Sequence, residues 1–365
     1  VIKIETVGQG DLARQLGADK DLAFRNMGIS FLAQNAGKKS LTLNLKSEDG
    51  KAIFKRLLDN ADVLVENFRP GVMARLGLDY ERLKHSHPQL IYCAISGFGQ
   101  TGPMSKRPAY DQIIQGLSGV MSITGNPDDD PLRVGYPLAD TIGGLTAAMA
   151  VSAALNSTPR GQFIDVSMLD SVLATMGWVV SNHLIGGIEP AKNGNENVTS
   201  APSGTFCTGD GLLNIAANEE RQWRSLISHL GCEHLAKDAR FQTRNDRMAH
   251  RAQLTSELEI WLASKSAVQW ESELTSLGVP AGVVMSVPDI LENEHTRHRG
   301  LLADFEDVAG VDRDISVVRA GFQADGKPMK VDSPPPTLGQ HNEDLLRELG
   351  YDDDAIDRFR MGGVI

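Results

Sequence analysis

From Val1 to about Gly187 short apolar runs alternate with helix-period segments, the pattern of βαβ units around a mostly parallel sheet. Lys39-Ser-Leu-Thr-Leu-Asn-Leu45 alternates with period two and predicts a strand. Ser47 then caps a helix carrying Ile53, Leu57 and Leu58. Ala61–Val65 and Leu90–Ile95 are the next predicted strands. The loops at their carboxyl ends begin at Asn67 and Ser96, where open α/β sheets place their ligands. The first of these loops, Glu66–Gly71, leads into a helix holding Met73, Arg75 and Leu76. The opening Val1–Glu5 reads as a strand already in progress, without Met or a signal-peptide pattern, so an upstream segment is expected to be missing.

After Gly186-Gly187 the pattern changes, because Glu189–Ser203 is polar and rich in Asn, Gly and Pro. Beyond it Gly211–Ala216 predicts a strand. Leu254, Leu258, Trp261 and Leu262 share one helix face, and Ser266-Ala-Val-Gln269 is a capping box for a helix that stops at Gly278-Val-Pro280. The tail carries an amphipathic helix over Glu343–Leu349. The expected division is a large α/β domain over 1–190, a linker over 191–203, a small α+β domain over 204–310, and a return linker with the last part of the large domain over 311–365.

Composition narrows the function classes. With 365 residues, 41% hydrophobic and 23% charged, the chain is an ordinary globular protein of two or three domains, which excludes disorder and fibrous repeats. Its 47 acidic residues against 36 basic ones give a net charge of −11, which repels a phosphate backbone and speaks against nucleic acid as a partner. Cys93, Cys207 and Cys232 form no CxxC pair and fit a reducing, cytoplasmic setting. The longest mildly apolar run, Leu145–Leu155, is shorter than the ~20 residues a span needs, so no membrane partner is expected.

Several residues qualify for chemistry. Gly97-Phe-Gly-Gln-Thr-Gly102 fits GxGxxG, but Pro103 stands where a phosphate-binding helix would start, so it reads as a glycine-rich turn whose N–H groups can meet a reacting oxygen. Asp140 precedes a run of small residues and reads most simply as a helix N-cap. The same position suits an ionised nucleophilic carboxylate, with Gly143-Gly144 letting a bulky ligand approach. Asp165, alternating in a strand, and Asp170, early in a helix, read as structural. His295 and His298 are the only close histidine pair, with no HExxH pattern, so no metal site is expected. No cysteine has a basic context that would make it a thiolate nucleophile.

Seven motifs, in order, carry a resemblance: Val1–Glu5, Asn35–Ser40, Asp62–Gly71, Ser96–Pro103, Arg107-Pro-Ala-Tyr-Asp111, Gly278–Gly282 and Leu338-Gly-Gln-His341. The chain resembles the family III CoA-transferases, the formyl-CoA and carnitine CoA-transferase group, from Val1 to Ile365. The resemblance implies an α/β fold with a large Rossmann-like domain and a smaller α+β domain, two such open rings interlocking as a homodimer. It matches the family's catalytic aspartate to Asp140, thirty positions after Tyr110, and its CoA contacts to Asn67, Phe68, Val72, Arg75, Leu76 and Tyr110. Lys39, with Lys38, is a weaker candidate for the nucleotide end. Gly97, Phe98 and Gly99 are placed by loop position at the oxyanion and acyl pocket. No metal and no cofactor beyond the CoA thioester substrate is implied.

The chain departs from the family in two places. Family members begin with a further strand and turn about 30 residues upstream. The glycine-run loop of formyl-CoA transferases is replaced by Asn195–Ser203, so formate or oxalate specificity is not implied. Gly125–Gly135 looks more like succinyl-CoA-dependent members, which points to succinyl-CoA as donor and a small dicarboxylate or hydroxy acid as acceptor. Arg133 and Arg107 are the candidates to pair with a distal carboxylate, though each reads first as a surface arginine. Two rival readings stand beside this one. A 2-methylacyl-CoA racemase of the same fold needs a near-neutral acid/base pair, and its relatives carry His where this chain has Tyr110. A non-catalytic acyl-CoA-binding scaffold predicts binding insensitive to Asp140→Ala.

Overall fold

The computed structural model describes residues 1–365. Strand β1 (Ile2–Glu5) pairs in parallel with β2 (Lys39–Thr42), Ile2 opposite Lys39. The helix after β2 runs from Glu48 to Leu58, and the Ser47 hydroxyl accepts the Gly50 N–H as expected of its cap. A second sheet has the order β3 (Val63–Glu66), β4 (Ile91–Ser96), β5 (Phe163–Ser167), with β3 and β4 parallel. The central strand β4 is buried on both faces. Tyr92 and Ala94 enter a core with Ile53, Phe54 and Leu83, while Cys93 meets Ala147 and Val166.

The C-terminal tail closes that first core. The helix Asn342–Glu348 buries Leu345 and Leu346, and Ile356 and the terminal Val364 and Ile365 pack with β4's Tyr92 side. Each fully buried Leu or Ile contributes about 1.5–3 kcal/mol relative to exposure, which is why an amphipathic tail docks. A buried ion pair fastens the same region. Arg14 Nε donates to Glu5 Oε1 at 2.7 Å, both side chains fully buried, and the guanidinium stacks 3.6 Å from the Phe31 ring centre. Arg14 also donates to the carbonyl of Pro336, and Ser40 Oγ donates to Glu5 Oε2 at 2.6 Å.

A separate antiparallel sheet has the order β6 (Ser203–Cys207), β7 (Leu212–Ala216), β8 (Ala281–Val283). Its Phe206, Leu213 and Ile215 pack on Trp223, Leu226, Leu254, Leu258, Leu262 and Trp270. The helix Arg251–Leu262 therefore buries the three leucines spaced by four. Trp261, grouped with them by periodicity, lies at the rim, 36% exposed. The capping box forms as expected, Ser266 and Gln269 each bonding the other's backbone.

The chain divides into two compact units. One comprises 1–106, 144–166 and 288–365, and the other 107–143 and 167–287. These bounds differ from the division expected at 190 and 204. The polar stretch after Gly187 is a loop inside the second unit, whose helices Asp111–Leu117 and Met168–Thr175 pack on each other. Polar composition marks an exposed loop, whereas a unit follows packing.

The helix Leu138–Leu155 is also longer than the apolar run that announces it. At 18 residues it is long and apolar enough, by length and composition alone, to cross a membrane, with 22% of it buried within this chain. The expectation of a run too short for that is corrected, because the helix takes in Leu138–Gly144 before the run begins.

Candidate active site

The residues singled out from the sequence fall into two groups, one in each unit. In the first unit, β3 ends at Glu66 and the loop beyond it is tied to β4. Asn67 Nδ2 donates to the Ile95 carbonyl at 2.8 Å, and Phe68 N donates to Glu66 Oε2 at 2.6 Å. Burial pushes the Glu66 carboxyl above its usual range, against the pull of the Phe68 N–H. The Phe68 ring is left exposed at 46%, an apolar face without a partner in its own loop. Gly71, at φ +84°, turns the chain into the helix Val72–Leu76. Met73 is buried there, Val72 and Leu76 are half-buried, and Arg75 is exposed.

The glycine loop after β4 is anchored by an aspartate. Gln100 N donates to both Asp165 oxygens, at 3.0 and 2.9 Å, which gives Asp165 the structural role expected of it and holds Gly97, Phe98 and Gly99 in place. Two side-chain atoms flanking that loop, Ser96 Oγ and Gln100 Nε2, are buried without a hydrogen-bond partner. A buried polar atom left unpaired costs about 1–3 kcal/mol, so such atoms call for a water or a ligand. Lys39 is engaged within the chain, its Nζ 3.0 Å from Glu348 Oε1. Arg75 remains the exposed cation of this group.

In the second unit Tyr110, 70% exposed, leads into the helix Asp111–Leu117. Asp111 is buried. It accepts Ala139 N at 2.8 Å and Gln115 Nε2 at 2.7 Å, and Arg133 Nη2 lies 3.7 Å away. Gln115 in turn accepts Val134 N through Oε1 and donates to the Tyr136 carbonyl. The residue pair Asp111 and Gln115 thus holds the approach to the next helix at three points. Arg133, one of the two candidates for a substrate carboxylate, faces Asp111, while Arg107 stays exposed.

Asp140 is not the N-cap that its position predicts. The helix begins at Leu138 and Asp140 is its third residue, in the first turn. Its carboxylate is exposed and accepts no hydrogen bond. Partial loss of hydration, and then the nearby Asp111 charge, push the Asp140 carboxyl above its usual range. An unbonded carboxylate of raised basicity is a competent nucleophile toward an acyl group. Of the two glycines after it, Gly144 opens on space. Gly143 is instead a packing contact, since a Cβ there would sit 3.1 Å from Met168 Cγ.

The part played by Asp111 is absent from the sequence reading. Its signal lies in the Arg107–Asp111 motif, but its bond to Ala139 spans 28 residues and leaves no local trace. Cys93 and Cys232 are buried and pushed up to about 11 by that burial and nearby carboxylates, so neither supplies a thiolate at neutral pH.

The chain is similar to known proteins over most of its length. The chain is 36% identical to a succinate–glutarate CoA-transferase of Agrobacterium fabrum, over 96% of this chain and 88% of that protein. It is 40% identical to an acetyl-CoA:oxalate CoA-transferase of Acetobacter aceti, over 82% of this chain and 77% of that protein. Its fold superposes on the crystal structure of a CAIB/BAIF family protein from Brucella suis with a TM-score of 0.81 at 34% identity, covering 95% and 91% of the two chains. The profile of CoA-transferase family III matches residues 1–342, and the chain belongs to that family.

Proposed function

We propose that this chain moves CoA from succinyl-CoA to a small dicarboxylic acid, with Asp140 as the nucleophile. The observation that carries this reading is the Asp140 carboxylate itself, exposed, unbonded and raised in basicity in the first turn of a helix. The Asp140 oxygen attacks the thioester carbonyl carbon. The C–S bond breaks, CoA leaves as its thiolate, and a mixed anhydride remains. The thiolate then attacks the aspartyl carbonyl of that anhydride, releasing succinate and leaving CoA on Asp140 as a thioester. The acceptor carboxylate attacks this aspartyl thioester, the C–S bond breaks and the thiolate leaves a second mixed anhydride; the thiolate then attacks the acceptor's carbonyl, freeing the Asp140 carboxylate and the new acyl-CoA. One thioester replaces another, so no external energy source enters.

In this reading Asn67, Phe68, Val72, Arg75, Leu76 and Tyr110 contact CoA, with Lys39 at its edge. Backbone N–H groups of Gly97, Phe98 and Gly99 serve the acyl oxygen, and the unpartnered Ser96 and Gln100 side chains beside them favour a polar occupant there. The relatives named for glutarate and oxalate both act on dicarboxylates, which supports a dicarboxylate acceptor and returns oxalate to the candidates. The test is succinyl-CoA turnover against glutarate, oxalate, a hydroxy diacid and matched monocarboxylates. Dicarboxylate turnover that Asp140→Ala abolishes supports the reading, and turnover with monocarboxylates alone contradicts it.

The same reading includes a Rossmann-like large domain and a homodimer. Its support is the helix Gly177–Gly186, which buries no residue within this chain and leaves Trp178, Leu184 and Ile185 exposed at 53%, 75% and 88%. Apolar side chains so displayed call for a cover, and a second copy supplies one. Sedimentation at micromolar concentration is expected to show a dimer that Leu184→Asp with Ile185→Asp dissociates.

A further inference from the structure

The first turn of a helix leaves its N–H groups without intrahelical partners, and a carboxylate at the third position ordinarily folds back to accept one. In the helix that carries Asp140 the donors that precede it are already taken, and so is the one that follows it. Leu138 N donates to the Tyr136 carbonyl at 2.7 Å, Ala139 N to Asp111 at 2.8 Å and Thr141 N to the Pro137 carbonyl at 3.0 Å, while Pro137 has no N–H. Asp111 is held for this task, because Gln115 Nε2 donates to its other oxygen at 2.7 Å and the same Gln115 binds Val134 N and the Tyr136 carbonyl. Arg133 at 3.7 Å offsets part of the cost of its buried charge.

We propose that Asp111 is a positioning residue of the transfer reaction: by taking the Ala139 N–H it fixes the start of the helix and leaves the Asp140 carboxylate unbonded and free to attack. This inference rests on the reading of Asp140 as the nucleophile. In Asp111→Ala the Ala139 N–H loses its acceptor. The Asp140 carboxylate, one residue away, turns inward to take that donor and is withdrawn from the thioester. Asp111 is buried and is not among the residues assigned to CoA, so the loss is expected to fall on kcat.

The experiment compares wild type, Asp111→Ala and Asp111→Asn in succinyl-CoA turnover, with folding checked by circular dichroism. Asp111→Ala is expected to lower kcat about tenfold or more while KM for succinyl-CoA stays within about twofold. Asp111→Asn keeps an oxygen for Ala139 N and gives up only the Gln115 Nε2 bond, where its new NH2 meets another donor, so kcat is expected within about threefold of wild type. An unchanged kcat in Asp111→Ala, a change confined to KM, or equal losses in the two variants overturns the proposal. Should Asp111→Ala not fold, Asp111→Asn decides alone: near-wild-type kcat supports the proposal and a loss of about tenfold overturns it. Mass spectrometry of wild type after succinyl-CoA separates the two claims. No CoA on Asp140 defeats the nucleophile reading, whereas CoA on Asp140 forming at equal rates in wild type and Asp111→Ala defeats the positioning claim alone.

Discussion

Asp111 accepts the backbone N–H of Ala139 at 2.8 Å across 28 residues, and its charge falls on Asp140, the next residue along. The cap of the helix and, after lost hydration, part of the rise of the Asp140 carboxyl therefore come from one side chain.

That coupling fixes a pH dependence. In the proposed reaction the ionised Asp140 is the reactive form, and its carboxyl is raised first by lost hydration and then by Asp111. Activity is thus lost, as pH falls, at a higher pH than an ordinary aspartate near ~3.9 would give. Asp111→Asn removes the second cause, so the acid limb of kcat/KM is expected to move to lower pH while the plateau is kept. Profiles of the two proteins that overlay would refute the coupling.

Arg75 is exposed on the helix after β3 and free of any ion pair within the chain. A guanidinium binding a CoA phosphate forms charge-assisted hydrogen bonds of about 1.5–3 kcal/mol. Arg75→Ala is expected to raise KM for succinyl-CoA about tenfold or more, with kcat changed far less. Steady-state kinetics at two salt concentrations checks this, since the wild-type KM is expected to rise with salt and the variant's to respond less.

The two glycines after Asp140 are expected to diverge. At Gly144 nothing lies within reach of an added Cβ, so Gly144→Ala removes helix-interior backbone freedom and stabilises by about 0.5–1 kcal/mol. At Gly143 the added carbon meets Met168 Cγ at 3.1 Å, and the repacking cancels that gain or costs about 1 kcal/mol more. Thermal melts of the two variants give the signs. A rise in Tm for both would mean that Met168 gives way freely.

The Glu5–Arg14 pair makes a stability prediction with a defined pH window. Burial raises the Glu5 carboxyl, but the Arg14 and Ser40 hydrogen bonds, the Arg14 charge and the Asp11 N–H together bring it below its usual range. With the folded value depressed, the contribution is fully present above the unfolded carboxylate pKa of about 4.3 and is lost as pH falls through the folded value. Glu5→Gln leaves Arg14 buried without its counter-charge and is expected to cost about 3–5 kcal/mol near neutral pH. The cost shrinks in acid. Urea unfolding at neutral and acid pH measures this, and a neutral-pH loss under about 1 kcal/mol would contradict it.

What the sequence discloses is what its local chemistry decides. The β2 alternation, the Ser47 cap, the Leu90–Ile95 strand and the Ser266–Gln269 box each depend on neighbours a few residues apart, and each forms, although β2 stops at Thr42 short of Leu45 and β4 is shifted by one residue to Ile91–Ser96. Asp140 emerges as a candidate from its motif and spacing. Its place within the helix does not, because the helix begins two residues earlier, where Asp111 from a distant helix takes the Ala139 N–H. The buried Arg14, Gly143 against Met168, and Trp261 at the rim of its helix face are likewise set by partners far along the chain. Composition likewise marks the loop after Gly187 without revealing that 107–143 packs in the same unit.

The central claim is that Asp140 carries CoA during turnover. It is tested most directly by peptide mass spectrometry after brief incubation with succinyl-CoA and no acceptor. The account predicts CoA joined to the peptide containing Asp140, absent in Asp140→Ala and discharged on adding the dicarboxylate that turns over. A protein that turns over succinyl-CoA while that peptide stays unmodified, or an adduct that survives Asp140→Ala, would contradict it.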